Sequence, residues 1–189
     1  TKTVVWAFPA DSTTFNTITQ AESVDSFVQG MIFPSLNINN LETGLPGPYL
    51  ATWEVSEDGL TYTFTIHEDA VWSDGVPITS TDVLFTLNAV FSEHVETFRT
   101  IDGVDSMNAI DDKHFEIVLA NSTCGLFSQI GVFIMPAHKF ADDYSDFATS
   151  EFNTHPDISG GPFVFSERSV DEYLRFEAND TFFLGRPEI

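Results

Sequence analysis

Regular alternation of apolar and polar residues along one short segment constrains the fold more than any other feature of this sequence. Between residues 60 and 67, Leu, Tyr, Phe and Ile alternate with three threonines and a histidine. Successive side chains of a β-strand point to opposite faces of a sheet, so this segment predicts a strand with one covered face. The turn signal Glu57-Asp58-Gly59 precedes it and joins it to residues 51–56 as a β-hairpin.

Two helices are predicted from apolar spacing and from their end signals. Apolar residues recur at helical spacing from Val24 to Ile32, and Pro34 ends that helix. A second helix follows Thr79, a good N-cap, with Asp82 near its positive end. The remaining predictions are a buried strand at Thr3–Phe8, a loop at Asn37–Pro48, strands at Val104–Ile110 and Phe115–Ala120, short helical segments near residues 126–130 and after Pro136, and a second hairpin that turns near Ser169–Asp171.

The charge balance is strongly acidic and argues against some classes of partner. Seven Lys and Arg residues face 29 Asp and Glu residues, which gives a formal net charge of −22. A field of this sign repels phosphate backbones, so we expect no nucleic-acid binding, and it favours a monomer. Two interpretations stay open, a coat of charge for solubility and adaptation to a salty medium. The second suits a chain whose lysines are confined to positions 2, 113 and 139.

No arrangement typical of an enzyme active site stands out. The five histidines lack metal-ligand spacing, and the motifs of serine hydrolases, phosphate-binding loops and dinucleotide sites do not occur. We therefore expect no catalytic residue, no bound metal and no cofactor. The single cysteine, Cys124, is interpreted as a small half-buried apolar residue, and Trp53 and Trp72 as structural aromatics.

Four blocks of the sequence carry a family resemblance. The most recognisable one, at residues 48–90, is PYLATWEVSEDGLTYTFTIHEDAVWSDGVPITSTDVLFTLNAV. It is followed by IDGVDSMNAIDDKHFEIVLAN at 101–121, by IMPAHKF at 134–140, and by a final block at 160–189 that begins with GGPF. In this order the blocks resemble family 5 of the solute-binding proteins, which includes dipeptide-, oligopeptide- and nickel-binding members.

The resemblance implies a mixed α/β (α+β) fold. The expected structure is a lobe of the periplasmic-binding-protein type, rich in strands and with two main helices. Family members are much longer, so the chain is expected to be truncated before a C-terminal lobe. The implied organisation is the start of the first lobe at residues 1–36, an inserted β-rich subdomain at 37–155 with a helix at 80–92, and a return to the first lobe at 156–189.

The resemblance also implies transport rather than catalysis. Two lobes of such a protein close on a solute, and the closed form docks on an ABC permease in the membrane. The implied partners are a small solute, with a peptide favoured, and the permease, in an extracellular or periplasmic location. Nickel complexes, sugars and opines remain alternative solutes. The chain opens without a signal peptide, so a mature or trimmed form is expected, with anchoring through a removed N-terminal segment left open.

Ligand-binding residues are predicted where the resemblance places the solute. The loop after the first predicted strand lies beside the ligand in the family, and the segment that returns to the first lobe approaches the same cleft. Glycine in that segment permits close backbone approach. An ordinary turn or core role is the alternative for each position. The predicted ligand-binding residues are Asp11, Ser12, Thr13, Phe15, Phe98, Gly161 and Phe163.

Two functions of other classes remain open. One is a scaffold or adhesion module derived from the same lobe, and the other is an acidic surface protein that binds calcium. A gene that continues into a second lobe favours transport, whereas one that ends near Ile189 favours the scaffold. A melting temperature that depends on calcium would favour the calcium-binding surface protein.

Overall fold

The protein has a mixed α/β fold, rich in strands and with two main helices, as predicted. The computed structural model describes residues 2–19, 23–97, 99–123 and 125–189. No helix among these residues is long and apolar enough to cross a membrane. The helices are α1 (Ser23–Ile32), α2 (Ser80–Asn88) and α3 (Leu126–Gln129), with 3-10 turns at Ala89–Phe91, Ala137–Lys139 and Glu151–Asn153. The strands are β1 (Asn37–Asn39), β2 (Pro46–Pro48), β3 (Ala51–Val55), β4 (Thr61–Ile66), β5 (Val104–Ala109), β6 (His114–Leu119), β7 (Phe163–Ser169) and β8 (Tyr173–Ala178).

A four-stranded antiparallel sheet, in the order β3-β4-β6-β5, forms the centre of the β-rich part. The β3–β4 hairpin turns at Gly59, whose φ of 72° is rarely adopted by other residues. Phe64 and Ile66 on its apolar face are fully buried. Phe64 lies opposite Phe115 across the sheet, and the two rings stack with centroids 4.7 Å apart. The structure therefore confirms both predicted strand pairs of this sheet.

Asp82 connects α2 to a distant segment. Its carboxylate accepts hydrogen bonds from the Thr79 amide and from the Ala137 amide, both at 2.9 Å. One turn along the helix, the Thr86 hydroxyl donates to the Asp82 carbonyl at 2.8 Å and accepts from the Met135 amide at 2.9 Å. Burial raises the pKa of Asp82, although these amide donors oppose the shift. The predicted helix start thus also holds residues 134–140 against α2.

Residues 159–161 join the end of α1 to the turn that contains Trp72. The Ile32 carbonyl accepts hydrogen bonds from the Ser159 hydroxyl at 2.6 Å and from the amides of Gly160 and Gly161 at 3.0 and 2.8 Å. A Cβ on Gly161 would lie 2.7 Å from the Ile32 carbonyl carbon, and one on Gly160 would lie 3.0 Å from the Trp72 ring. Trp72 itself is fully buried, which confirms its structural role.

The strand predicted at Thr3–Phe8 is wrong. This segment belongs to no strand of the described chain, and Val5 and Trp6 are 85% and 53% exposed. Its residues favour β-structure, but a strand also needs backbone hydrogen bonds to a neighbouring edge, and the segment forms none with the described residues.

The loop predicted at Asn37–Pro48 is instead a short hairpin, in which β1 pairs with β2. Asn37 lies opposite Pro48, and Asn39 lies opposite Pro46. Glycine and proline are depleted in strands, so this composition concealed the pairing. Proline is tolerated here because β2 is the edge of a two-stranded sheet.

Candidate functional site

A groove of about 1270 Å³ runs along the N-terminal segment, and we refer to it as the N-terminal groove. Residues 2–12 form one wall, and residues 171–178, which include β8, form the other. Residues of α1 close the floor, among them Val24, Phe27 and Met31. Pockets of roughly 300–1,000 Å³ accommodate small ligands, so the groove has room for one.

A cluster of aromatic rings lies where the wall of residues 2–12 meets the α1 floor of the groove. Phe27 of α1 packs against Trp6 with centroids 5.6 Å apart and against Phe8 with centroids 4.8 Å apart. Phe27 remains 39% exposed, and Phe8 43%. Aromatic rings that stay accessible can bury the apolar part of a ligand, and stacked or edge-on contacts add to the gain from burial.

Both walls of the groove present backbone groups that pair with no other strand. β8 pairs with β7 on one side, and no second partner for it lies among the described residues. Residues 2–8 form no backbone hydrogen bond with any other described residue. Such free N–H and C=O groups can bind an extended chain by strand addition.

The groove is lined by charges of both signs, several of them already paired. Arg175 of β8 donates to Glu167 at 2.6 Å, and Arg186 pairs with Asp180. These pairs are exposed, and exposed pairs are weak, so the two guanidinium groups can still interact with another anion.

The carboxylate of Asp11 is held in the groove wall by the β7–β8 hairpin. It accepts hydrogen bonds from Arg168 Nη2 at 3.0 Å and from the Asp171 amide at 3.1 Å. Arg168 also donates to the Ser12 carbonyl at 2.6 Å. Partial burial acts to raise the pKa of Asp11, but these hydrogen bonds and the guanidinium charge outweigh burial and lower the pKa. Asp11 therefore stays ionised and fixed in place.

The side chains of Ser12 and Thr13 turn toward α1. The Ser12 hydroxyl donates to Asp25 at 2.7 Å, and the Thr13 hydroxyl donates to the same carboxylate at 3.1 Å. Ser12 is 1% exposed, and Asp25 is fully buried. These two hydroxyls therefore serve primarily to anchor the loop.

The other predicted residues occupy different environments. Phe15 is fully buried and packs against Phe165 with centroids 5.4 Å apart. Gly161 is buried against the end of α1, whereas Phe163 is half-buried and lines the N-terminal groove.

Three of the predicted residues thus line the groove and three do not. Asp11, Ser12 and Phe163 belong to its lining, whereas the lining does not include Thr13, Phe15 or Gly161. Phe98 lies outside the described residues. A role in ligand binding remains a prediction for all seven.

Sequence reasoning missed the residues that fix the loop from below, Asp25 and Gln29. A signal for them exists in the sequence, because they fall at helical spacing with Val28 and Ile32 on the buried face of α1. Polar residues on an apolar helical stripe indicate a specific buried partner.

The histidines of the described chain lie in ordinary surface settings. His114 contacts Asp111 at 2.8 Å, and His138 contacts Asp74 at 3.1 Å. Within the described ranges, no group of three or more His, Cys, Asp or Glu side chains is arranged to hold a metal ion.

Comparison with known proteins shows the family to which the chain is similar. The family model for bacterial extracellular solute-binding proteins, family 5, matches residues 46–189. The oligopeptide-binding protein AppA of Bacillus subtilis is 24% identical over 182 residues, which cover 94% of this chain and 34% of that protein. Protein XP55 of Streptomyces lividans is 32% identical over 138 residues, which cover 72% of this chain and 25% of that protein.

Solved structures agree with the sequence relatives. The structure of Bacillus subtilis AppA in complex with a nonapeptide matches with a TM-score of 0.85 at 25% identity, covering 94% of this chain and 36% of that one. NikZ from Campylobacter jejuni in complex with Ni(L-His) matches with a TM-score of 0.78 at 25% identity, covering 93% of this chain and 35% of that one. The chain spans about a third of the length of these relatives. Because the family model matches most of its residues, the chain belongs to family 5 of the bacterial extracellular solute-binding proteins.

Proposed function

We propose that this chain is part of a receptor that captures peptides or similar small solutes and delivers them to an ABC permease. The observation that carries the proposal is the family match over residues 46–189. AppA, which matches in sequence and in structure, is an oligopeptide-binding protein solved with a nonapeptide. The family is extracellular, so we infer that the protein works outside the cell or in the periplasm.

The N-terminal groove supports a peptide as the solute. An extended peptide needs partners for its backbone, and the groove offers the free edge of β8 and the unpaired segment 2–8. It also needs a surface for its apolar side chains, which the rings of Trp6, Phe8 and Phe27 provide. Retention by shape and hydrogen bonding requires no bond to be made or broken, which agrees with the solute-binding role of the relatives.

Titration calorimetry on the product of the complete gene tests the proposal. The probes are an equimolar pool of nonapeptides, a pool of dipeptides, and nickel with L-histidine. We expect saturable heat with a peptide pool. Saturation by nickel with L-histidine alone would contradict a peptide receptor, and no heat with any probe would contradict the proposed function as a whole.

A pair of variants locates the binding surface. Trp6→Ser removes an exposed ring of the groove wall and should weaken peptide binding by about tenfold, because an aromatic contact that a ligand buries contributes strongly to an interface. Leu41→Ser is the matched control, since Leu41 is fully exposed and lies outside the groove lining. Equal affinities of the two variants would exclude the N-terminal groove as the peptide site.

A further inference from the structure

The loop at residues 11–16 has no regular secondary structure, yet its polar groups are held by one carboxylate. Asp25 Oδ1 accepts from the Ser12 hydroxyl and from the Thr13 amide, both at 2.7 Å, and from the Thr14 amide at 3.4 Å. Its Oδ2 accepts from the Thr13 hydroxyl at 3.1 Å. Asp25 is fully buried. Hydrogen bonds to a buried charged acceptor are stronger than those between neutral groups, so this carboxylate fixes the path of the loop.

Gln29 supports the same loop from one helical turn further along α1. Its Nε2 donates to the Thr14 carbonyl at 3.2 Å and to the Asn16 carbonyl at 3.1 Å. Residues four apart on a helix lie on one face. Asp25 therefore accepts from the N–H and hydroxyl groups of the loop, while Gln29 donates to the loop's carbonyls. Gln29 is also fully buried.

The far side of the loop is fixed independently. The Phe15 amide donates to the Asn153 carbonyl at 2.7 Å, and the Thr14 hydroxyl donates to the same carbonyl at 3.3 Å. With Arg168 bound to Asp11 and to the Ser12 carbonyl, groups from three other parts of the chain hold the loop before any ligand arrives: two side chains of α1, the Asn153 carbonyl and the Arg168 side chain.

We propose that Asp25 and Gln29 are positioning residues for ligand binding, which set the wall of the N-terminal groove in its binding geometry. The inference rests on the proposed function. A flexible loop loses conformational freedom when a ligand orders it, and this loss weakens binding. A wall that α1 holds in advance avoids the loss. The two side chains thus act on the ligand indirectly, because they fix the chain at residues 12–16, which continues directly from Asp11 in the groove wall.

Three variants of the complete protein test the inference. Asp25→Ala removes both carboxylate oxygens that accept hydrogen bonds from the loop. Asp25→Asn keeps one oxygen in place for the Ser12 hydroxyl and the Thr13 and Thr14 amides. Thr86→Val is the control for general loss of stability, because it removes a buried hydroxyl that bridges α2 and Met135 and takes no part in the groove.

Hydrogen exchange and peptide binding are measured for each variant at a temperature where all are folded. In Asp25→Ala, exchange across residues 12–16 should accelerate by about tenfold or more, and affinity for the nonapeptide pool should fall by about tenfold. Asp25→Asn should restore most of the exchange protection and most of the affinity. Thr86→Val should lower the unfolding midpoint without changing the exchange rate across residues 12–16 or the peptide affinity.

The outcomes separate this inference from the proposed function. Unchanged exchange across residues 12–16 in Asp25→Ala would overturn the inference, whatever the peptides do. Faster exchange with unchanged affinity would also overturn it, since Asp25 would then be structural only. If the unchanged protein binds no peptide, the proposed function fails, and with it the positioning role, while the exchange data still report how the loop is held.

Discussion

Replacing Asp82 with alanine should destabilise the fold through two amide groups that lie far apart in the sequence. Asp82 is 4% exposed and accepts from the amides of Thr79 and Ala137. Loss of the helix-start interaction costs about 1 kcal/mol. The half-buried Ala137 amide, left without a partner, costs roughly 1–3 kcal/mol more. The variant no longer buries a charge, which offsets part of this, so the expected net loss is about 2 kcal/mol.

Asp82→Asn gives the matched test of the charge, because it removes the charge but keeps the shape and one of the two acceptor oxygens. We expect a loss of about 1 kcal/mol near pH 3. Burial raises the pKa of Asp82 in the folded state above the 3.8 of an unfolded carboxyl. A raised pKa means that the folded protein binds the proton more tightly, so this group's contribution to stability is present at low pH and lost as pH rises. The stability difference between parent and variant should therefore shrink between pH 3 and pH 7.

Urea unfolding, followed by tryptophan fluorescence and far-UV circular dichroism, measures both effects. Comparing parent and variant at each pH removes most of the contribution of the other carboxylates. A loss below about 1 kcal/mol in Asp82→Ala would refute the role of the two amides. A parent–variant difference that grows with pH would refute the assignment of burial as the dominant influence on Asp82.

Two further predictions rest on contacts described above, and a third rests on the net charge. Gly161→Ala should cost about 3 kcal/mol, because its Cβ would lie 2.7 Å from the backbone of Ile32, whereas Gly47→Ala, whose Cβ would meet nothing closer than 3.6 Å, should change the urea midpoint little. Arg168→Met should cost about 2 kcal/mol at pH 7 and less near pH 3, because the lowered pKa of Asp11 makes its contribution present above pH 3.8 and lost on acidification. An equal cost at both pH values would rule out that ion pair as the cause. The net charge of −22 should make the thermal midpoint rise between low and molar salt, and a flat response would remove adaptation to a salty medium.

The elements that the sequence predicted correctly are those specified by local signals. The β3–β4 hairpin follows from alternation and from a turn that ends in Gly59, whose φ is positive. Helix α2 begins after Thr79, where the carboxylate of Asp82 accepts a hydrogen bond from the Thr79 amide. Such signals act within a few residues, so the sequence alone can reveal them.

The predictions that failed depend on partners far away in the chain. Residues 3–8 have the composition of a strand, but pairing is a property of two edges, and only one of them is visible in the local sequence. The β1–β2 hairpin was hidden for the opposite reason, because Pro46 and Pro48 discourage a strand unless it lies at an edge.

The candidate site was predicted in part, and for a related reason. The loop that contains Asp11 and Ser12 does line a groove. The sequence could not show that Asp25 accepts a hydrogen bond from the Ser12 hydroxyl, because this contact joins residues 13 positions apart across an irregular loop. Nor could it show the aromatic cluster, since exposure of Trp6 and Phe27 depends on the packing of the surrounding segments.

The hydrogen bonds at the end of α1 can form only after a long stretch of the chain has been synthesised. Ser159 and Ile32, which they connect, are separated by 127 residues. At about 5–20 residues per second, a ribosome needs roughly 6–25 s to make the intervening chain. A helix of 10 residues is marginal without tertiary support. The N-terminal region therefore stays incomplete while these 127 residues are made, and its apolar residues need protection from aggregation during that interval.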